Sequence, residues 1–519
     1  MSNEVQQVGK REHFSSSLGF VLAIAGSAIG LGNIWKFPFV TGMNGGGAFV
    51  LVYLLCIFFV GIPLMVSEMS IGRNTQKNPY GAFAKLFPNK KSRLAIVLSI
   101  LTILSGIFMI LAQNYGFGVV TLLVGLILLF FGFKFVGFVQ VFIDVILLAY
   151  YSVIGGWSII YMYKSFLNQL QYNTPDEAAG FFNNLSVDLS MTLVFQMIFL
   201  FACMFVLLKG VKEGIEKWSK ILMPTMFFLL IALIINNLTL KGSGAGVKFF
   251  LYPDFSKLST AGVLEALGHS FFTLSLGMGI VITYGSYLSK DQNLFKASLQ
   301  TIFLDTCASL MAGLAIFPAV FAMGGRAAAG PQLIFEVLPA TFNKFPGGTG
   351  FIWCGLFFLC LTIAALTSGM SLLEIPISYF MDQFNMKRIK AICVSMALVV
   401  ALGVFASLSA VNWQYLQGLY HALVKMFGEA HVSSSFFNLL DTFASAYVLP
   451  LSGLMTALFV GWVWGTRNTE DELKLGAEKI NKVLPIWAVL IRYIIPVVIV
   501  IIFLHGVNAI EYVRELFLN

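Results

Sequence analysis

The chain has 519 residues, of which 58% are hydrophobic and 11% charged, and its formal net charge is +8. A soluble domain carries about 25% charged residues, whereas apolar runs of about 20 residues, enough to cross a bilayer, recur here along nearly the whole length. These figures exclude a second soluble domain of any size, and they exclude nucleic acid as a partner, because the basic residues fall in short loops rather than in one patch.

Taken in chain order, the pattern starts with Lys10, Arg11, Glu12 and His13, followed by an apolar stretch too long to be the core of a cleavable signal. Apolar runs predict spans over 14–40, 47–70, 94–112, 117–133, 136–163, 188–208, 221–240, 265–289, 295–323, 350–381, 389–409, 437–464 and 484–508, thirteen in all. Lys and Arg in short loops set the orientation. They place the N-terminus in the cytoplasm, with inside loops around Arg73 to Arg93, Lys209 to Lys220, Lys290 to Lys296, Lys387 to Lys390 and Arg467 to Lys482. The alternation holds if 94–133 is a complete hairpin or does not cross, and the tail from Glu511 to Asn519 then faces outward. The stretch from Gly324 to Gly348 is long enough to dip toward a central cavity, although its pattern favours a plain surface loop. Cys56, Cys203, Cys307, Cys354, Cys360 and Cys393 all lie in apolar spans, at spacings that suit neither a zinc site nor a disulfide framework.

Two spans are interrupted. The first contains Ala25-Gly26-Ser27-Ala28-Ile29-Gly30-Leu31-Gly32-Asn33, the second Ser275-Leu276-Gly277-Met278-Gly279. Backbone groups freed inside a bilayer need partners, so such breaks are tolerated where they line a cavity or bind something. Paired breaks in corresponding halves point to a transporter's binding site. Carbonyls at Gly26, Ala28 and Ile29 offer oxygens to a cation, and amides near Leu31 and Gly32 offer donors to a carboxylate. A helix-packing cluster of small residues is the competing reading of the first motif alone.

Ionisable residues inside spans each need a reason, since burying a charge there costs at least about 2.5–3.5 kcal/mol. Asp305 is suited to a hard cation or to a buried donor, and Glu68 to amides released by a broken helix. Asp382 and Asp441 lie near opposite membrane faces, which permits an inner pair with Arg11 and an outer pair with Lys36. Asp144 has no role in this reading. His269 is read as a hydrogen-bonded packing residue. Thr367 and Ser368 either ligate sodium or bond back to the preceding turn.

With these residues in hand, the chain resembles the neurotransmitter:sodium symporter family, in its bacterial amino-acid (LeuT-like) branch. The matching pieces are Arg11-Glu12-His13, Gly26 to Pro38, Asn44 to Phe49, Gly61-Ile62-Pro63-Leu64, Phe271 to Gly277, Thr283-Tyr284 and Leu366-Thr367-Ser368. The resemblance implies an all-α polytopic membrane protein forming one transporter domain over 1–519. Its inverted five-helix repeats would cover about 14–240 and 265–464, with an inserted hairpin at 94–133 and a final span at 484–508. It implies a first sodium held by Ala28, Asn33, Thr273, Asp305 and the substrate's carboxylate, and a second held by Gly26, Ile29, Ala364, Thr367 and Ser368. The substrate would lie among Ala28, Leu31, Gly32, Tyr151, Phe272, Ser275, Met278, Ser368 and Leu372, with Leu147 at the edge and Tyr151 and Phe272 as a lid. Arg11 and Asp382, with Ser286 and Tyr287 nearby, would form the inner gate, and Lys36 and Asp441 the outer.

The departures sharpen the expectation. Gly30 stands where monoamine members carry an Asp, which argues for amino acids. Asp305 replaces an Asn common in the family and so supplies the charge that chloride supplies elsewhere; chloride is expected not to be required, although Ser309, Tyr53 and Thr273 match chloride-binding positions and His269 replaces a usual Gln. Lys36 replaces an Arg, keeping charge but losing the fork geometry. Met278 replaces a bulky aromatic and favours a large aliphatic or aromatic amino acid. The function expected is sodium-coupled import of such an amino acid across the cell's inner (plasma) membrane. The partners are the substrate and the lipid bilayer, no nucleic acid is expected, and a homodimer is compatible. A sodium-independent exchanger or a non-transporting sensor on the same fold is the alternative. An intramembrane enzyme lacks a Ser-Lys dyad, paired Asp motif or zinc pattern to support it.

Overall fold

The computed structural model describes residues 12–87, 93–111, 122, 125, 126, 128–172, 174–325, 333–411, 440, 441, 443–476 and 480–506. Helix α1 (Ser17–Ala28) starts where the Ser16 hydroxyl accepts the Gly19 amide at 3.0 Å, an N-cap that meets one of the helix's unpaired donors. It ends at Ile29, whose backbone is extended (φ −79°, ψ 97°). The chain restarts as α2 (Gly32–Met43), bent by 50° from α1. The next helices are α3 (Gly47–Thr75), α4 (Arg93–Leu111), α5 (Lys134–Phe166), α6 (Leu189–Leu207) and α7 (Val211–Leu238). The second interrupted element is α8 (Thr260–Thr273) followed by α9 (Ile280–Gly285). Then come α10 (Leu294–Ala322), the short α11 (Leu333–Asn343), α12 (Gly350–Phe384), α13 (Arg388–Val411), α14 (Phe443–Lys474) and α15 (Leu484–Ile501).

Among the described residues, nine helices are long and apolar enough to cross a membrane, or ten if α1 and α2 count as one span. The expected interruption of 265–289 is present, as two short helices on either side of 274–279. The span 94–112 is present as α4, and about half of 117–133 lies outside the described residues.

The two halves are assembled by exchange. The second helix of each half packs on the broken helix of the other: α10 lies on α1 and α3 on α9. The third helices, α5 and α12, form the most extensive helix pairing in the molecule. This reciprocity is the arrangement of inverted repeats, with both breaks at the interface between them. The α11 segment does not behave as a surface loop. Leu333, Ile334 and Phe335 are buried, the Phe335 ring meets Trp157, Tyr161, Phe182 and Phe358, and its carbonyl accepts the Tyr161 hydroxyl at 2.8 Å.

Gly277 sits in the second break at φ +76°, and an added Cβ would lie 2.8 Å from the Leu449 carbonyl oxygen. A left-handed backbone costs a residue with a Cβ roughly 1–2 kcal/mol. Gly277→Ala is expected to lower the thermal unfolding midpoint of the purified protein, and an unchanged midpoint would show that this turn tolerates a side chain.

Candidate functional site

Both breaks expose backbone groups, and side chains take most of them. At the first, the Gly30 amide donates to Asn33 Oδ1 (3.1 Å) and the Leu31 amide to the Tyr151 hydroxyl (3.1 Å). The Ser27 carbonyl accepts from Ser368 Oγ (2.9 Å) and Ser275 Oγ (3.3 Å), and the Gly26 carbonyl from Ser368 Oγ (3.4 Å). At the second, the Gly277 amide donates to Glu68 Oε1 (2.9 Å), the partner expected of that carboxyl. The interrupted helices are thus held open by five side chains drawn from α2, α3, α5, α12 and the other break.

A narrow cavity lies between the breaks. Its lining brings together Ala28, Leu31, Gly32, Leu147, Tyr151, Phe272, Ser275, Met278, Ser368 and Leu372, the ten residues of the expected pocket, and adds Ser27, Gly30 and Ile280. The lining combines the backbone at Gly30 to Gly32 and the hydroxyls of Ser275 and Ser368 with apolar side chains. A Cβ on Gly30 would come within 2.3 Å of Ser368 Oγ and 2.7 Å of the Tyr151 hydroxyl oxygen. This glycine is needed for close approach, and no longer side chain fits there without displacing both.

Beside the first break, Asn33 Nδ2 donates to Asp305 Oδ1 (2.7 Å) and Ser309 Oγ (2.8 Å), while Tyr53 is hydrogen-bonded to Thr273 Oγ1 (3.1 Å) and to Ser309 Oγ (3.4 Å). Asp305 is fully buried and its Oδ2 has no hydrogen-bond partner. An orphaned carboxylate oxygen with the Ser309 and Thr273 hydroxyls in the same hydrogen-bonded cluster fits a small hard cation, which takes oxygen ligands. On α12, Thr367 Oγ1 donates to the Ala364 carbonyl (3.0 Å) and the Ile363 carbonyl (3.2 Å), so its hydroxyl does make the back-bond weighed from sequence. Its oxygen retains lone pairs, and Thr367 Cβ would be 3.4 Å from a Cβ on Gly26. Gly26, Thr367 and Ser368 are therefore neighbours across the α1–α12 contact.

His269 departs from expectation. Neither ring nitrogen has a hydrogen-bond partner; the ring stacks on Phe37 (5.9 Å, 17°) and Phe272 (6.5 Å, 26°). It is held as an aromatic plate, because the surrounding rings offer no acceptor.

On the outer side, Lys36 Nζ is 3.8 Å from Asp441 Oδ2, lies 4.8 Å over the Phe272 ring and shares Asp441 with the Tyr150 hydroxyl (2.9 Å). The side chains of Lys36 and Asp441 are 19% and 34% exposed, so the pair is partly screened by water and weak. On the inner side, Arg11 lies outside the described residues. Asp382 accepts the backbone amide and side-chain amide of Asn78 (3.0 and 2.8 Å). Tyr287 donates to Glu374 Oε1 (2.9 Å), and Arg388 clasps both oxygens of the same carboxylate (2.6 and 3.2 Å). Phe14 is wedged against Phe20, Tyr284 and Tyr287, and its amide donates to the Tyr287 carbonyl (3.3 Å). Sequence reasoning missed the Glu374–Arg388 pair. Its signal was available: a carboxylate inside a span, followed one loop later by an arginine.

The geometry, two broken helices facing one cavity within a bundle of apolar helices, is that of a membrane transporter. The chain matches the model of the sodium:neurotransmitter symporter family over residues 11–121 and 179–516, and it belongs to that family, which is one of transporters and not of enzymes. It is 34% identical over 505 residues to an uncharacterized sodium-dependent transporter, YhdH, of Bacillus subtilis (strain 168), covering 97% of this chain and 99% of that one. A second such transporter, from Haemophilus influenzae, is 32% identical over 502 residues, covering 96% and 98%. The sodium- and chloride-dependent taurine transporter of Canis lupus familiaris is 26% identical over 518 residues, covering 90% of this chain and 73% of that one. Among solved structures, MhsT in complex with L-phenylalanine superposes with a TM-score of 0.78 at 37% identity, covering 96% of this chain and all of that one.

Glu374 is fully buried and is shared by Tyr287 and Arg388. Removing one member of a buried ion pair costs about 3–5 kcal/mol, since the other charge is left unpaired. Glu374→Ala is expected to lower the unfolding midpoint by more than Asp441→Ala, whose pair is partly exposed. Equal shifts would contradict the ranking.

Proposed function

We propose that the protein is a sodium-coupled symporter that imports a hydrophobic or aromatic amino acid by alternating access, with its N-terminus in the cytoplasm. The observation that carries the reading is the cavity between the two breaks, whose lining combines backbone at Gly30 to Gly32 and the Ser275 and Ser368 hydroxyls with Phe272, Met278, Leu147 and Leu372. That combination suits a molecule with a zwitterionic head and an apolar side chain. Gly30 supports amino acids over monoamines, since the carboxylate that would meet an amine has no room there. The L-phenylalanine bound by the MhsT structure is a molecule of the same shape.

In this reading the Ala28 carbonyl, Asn33, Thr273 and Asp305 hold one sodium together with the substrate carboxylate. Gly26, Ile29, Ala364, Thr367 and Ser368 hold a second. An ion that shares a ligand with the substrate couples the two without a relay, because each improves the other's site. Each charge carried inward down 100 mV contributes about 2.3 kcal/mol to accumulation. Tyr151 and Phe272 close the cavity from outside, and Lys36 over Phe272 ties that lid to the Asp441 contact. Arg11 and Asp382, backed by Tyr287, close it from inside.

The test is uptake of radiolabelled tryptophan, tyrosine, phenylalanine and leucine into proteoliposomes, with an inward sodium gradient and then with potassium replacing sodium. Accumulation that requires sodium is expected. Equal uptake without sodium would replace the symporter with an exchanger.

Asp305 also bears on anion dependence. Its carboxyl sits among Asn33, Ser309 and, through Ser309, Tyr53, and supplies fixed negative charge beside the first sodium. Wild-type uptake is expected to be unaffected by replacing chloride with gluconate, and Asp305→Asn to acquire a chloride requirement. A variant that stays sodium-dependent and indifferent to chloride would remove that role from Asp305.

A further inference from the structure

Behind the second break, on the side away from the cavity, α3, α5 and α14 enclose a set of buried oxygens that the transport site does not use. Asp144, on α5, is fully buried, and neither carboxyl oxygen has a hydrogen-bond partner. Glu68, on α3, is also fully buried; its Oε1 takes the Gly277 amide and its Oε2 has no partner. Gln140 lies one turn before Asp144 on the same face of α5. Its Nε2 donates to Ser452 Oγ (3.0 Å) and Thr456 Oγ1 (3.2 Å), which leaves its buried Oε1 unpartnered. The second break joins these groups, for a Cβ on Gly279 would be 3.1 Å from Gln140 Cβ, two residues beyond the Gly277 amide that Glu68 holds.

Acceptors accumulate here without donors. Asp144 contributes two, Glu68 and Gln140 one each, and each unmet acceptor in an apolar surrounding costs about 1–3 kcal/mol. Among the described residues, no cation is hydrogen-bonded to them. The charged and titratable groups on the surrounding elements are engaged elsewhere: Lys85 on the Thr75 carbonyl, Arg73 on Glu472, Arg388 on Glu374, Asp382 on Asn78, Tyr284 on Ser371, and Tyr80 against the Tyr379 ring. Two carboxylates ionised within one buried cluster, with unpartnered oxygens on each, would repel each other and be stripped of water at once. A single proton resolves both difficulties: it removes one charge and turns one acceptor into a donor among acceptors.

We propose that Asp144 and Glu68 form a buried proton-binding pair at the back of the second broken helix, with the proton resident on Asp144. Asp144 is the holder because no donor stabilises its charged form, whereas Glu68 in its charged form already accepts the Gly277 amide. Loss of the proton places two negative charges against the turn that shapes one wall of the substrate cavity. Proton concentration therefore tunes the second break without competing at the sodium-binding oxygens.

The test is infrared spectroscopy of the purified full-length protein in lipid nanodiscs, titrated upward from neutral pH. Wild type is expected to show the carbonyl stretch of a protonated buried carboxyl at neutral pH. Asp144→Asn, the neutral isostere, should lose that intensity, and Glu68→Gln should keep it. An Asp144→Asn spectrum identical to wild type, or loss of the intensity in Glu68→Gln instead, overturns the assignment. If Asp144→Asn does not fold, absence of the stretch in wild type at neutral pH overturns it equally. The spectra need no substrate, so they stand apart from the proposed transport reaction. Where uptake is measurable, its rate in wild type should fall as pH rises, while Asp144→Asn should give a flatter profile; superimposable profiles count against the proposal.

Discussion

Everything in this molecule depends on one constraint: a peptide group opened inside a bilayer has no water to turn to. The chain opens two helices at the same depth of the fold and then has to meet the cost with side chains. Asn33, Tyr151, Ser275, Ser368 and Glu68 do so, each from a different segment. The cavity is therefore a consequence of backbone accounting as much as of shape. Its walls are the residues that hold the breaks open, and a ligand entering it would find oriented dipoles already in place rather than groups that must first be desolvated.

The same constraint explains why the halves interlock. Each break is steadied by the second helix of the opposite half, through Asp305 and Asn33 on one side and Glu68 and Gly277 on the other. A movement that separates the halves must disturb both breaks together, so closure at one face is mechanically linked to the cavity. The contacts at the two faces differ in kind. The Lys36–Asp441 pair is partly exposed and weak, while the Glu374 cluster joins a buried carboxylate, an arginine and a tyrosine hydroxyl beside an aromatic wedge. The structure is accordingly held more firmly at Glu374 than at Asp441.

Much of this was legible in the residues because the signals were of the right physical kind. Glycine runs inside apolar spans announce broken backbone, and an isolated carboxyl in a span announces a buried partner; Glu68 and its amide followed from those two rules alone. The break at 274–279 was legible from its glycines, because the stretch is apolar without being able to stay helical. The α11 segment was misread. Its short, irregular pattern reads as surface, and only the three-dimensional ring of Trp157, Tyr161, Phe182 and Phe358 gives Phe335 somewhere to be buried. His269 was misjudged because residue type suggests a hydrogen bond, whereas its neighbours supply only faces of rings.

The buried carboxyls then divide by their surroundings rather than by their type. Asp305 accepts the Asn33 side-chain amide on one oxygen and leaves the other unpaired, the position at which the proposed sodium would complete its environment. Asp144 has no hydrogen-bond partner on either oxygen among the described residues, and in the proposal above a proton completes it. Glu68 lies between these cases, half satisfied by a backbone amide. Three acids of nearly equal intrinsic strength are thereby assigned different tasks by the donors within reach, and the second broken helix is the element on which two of them act.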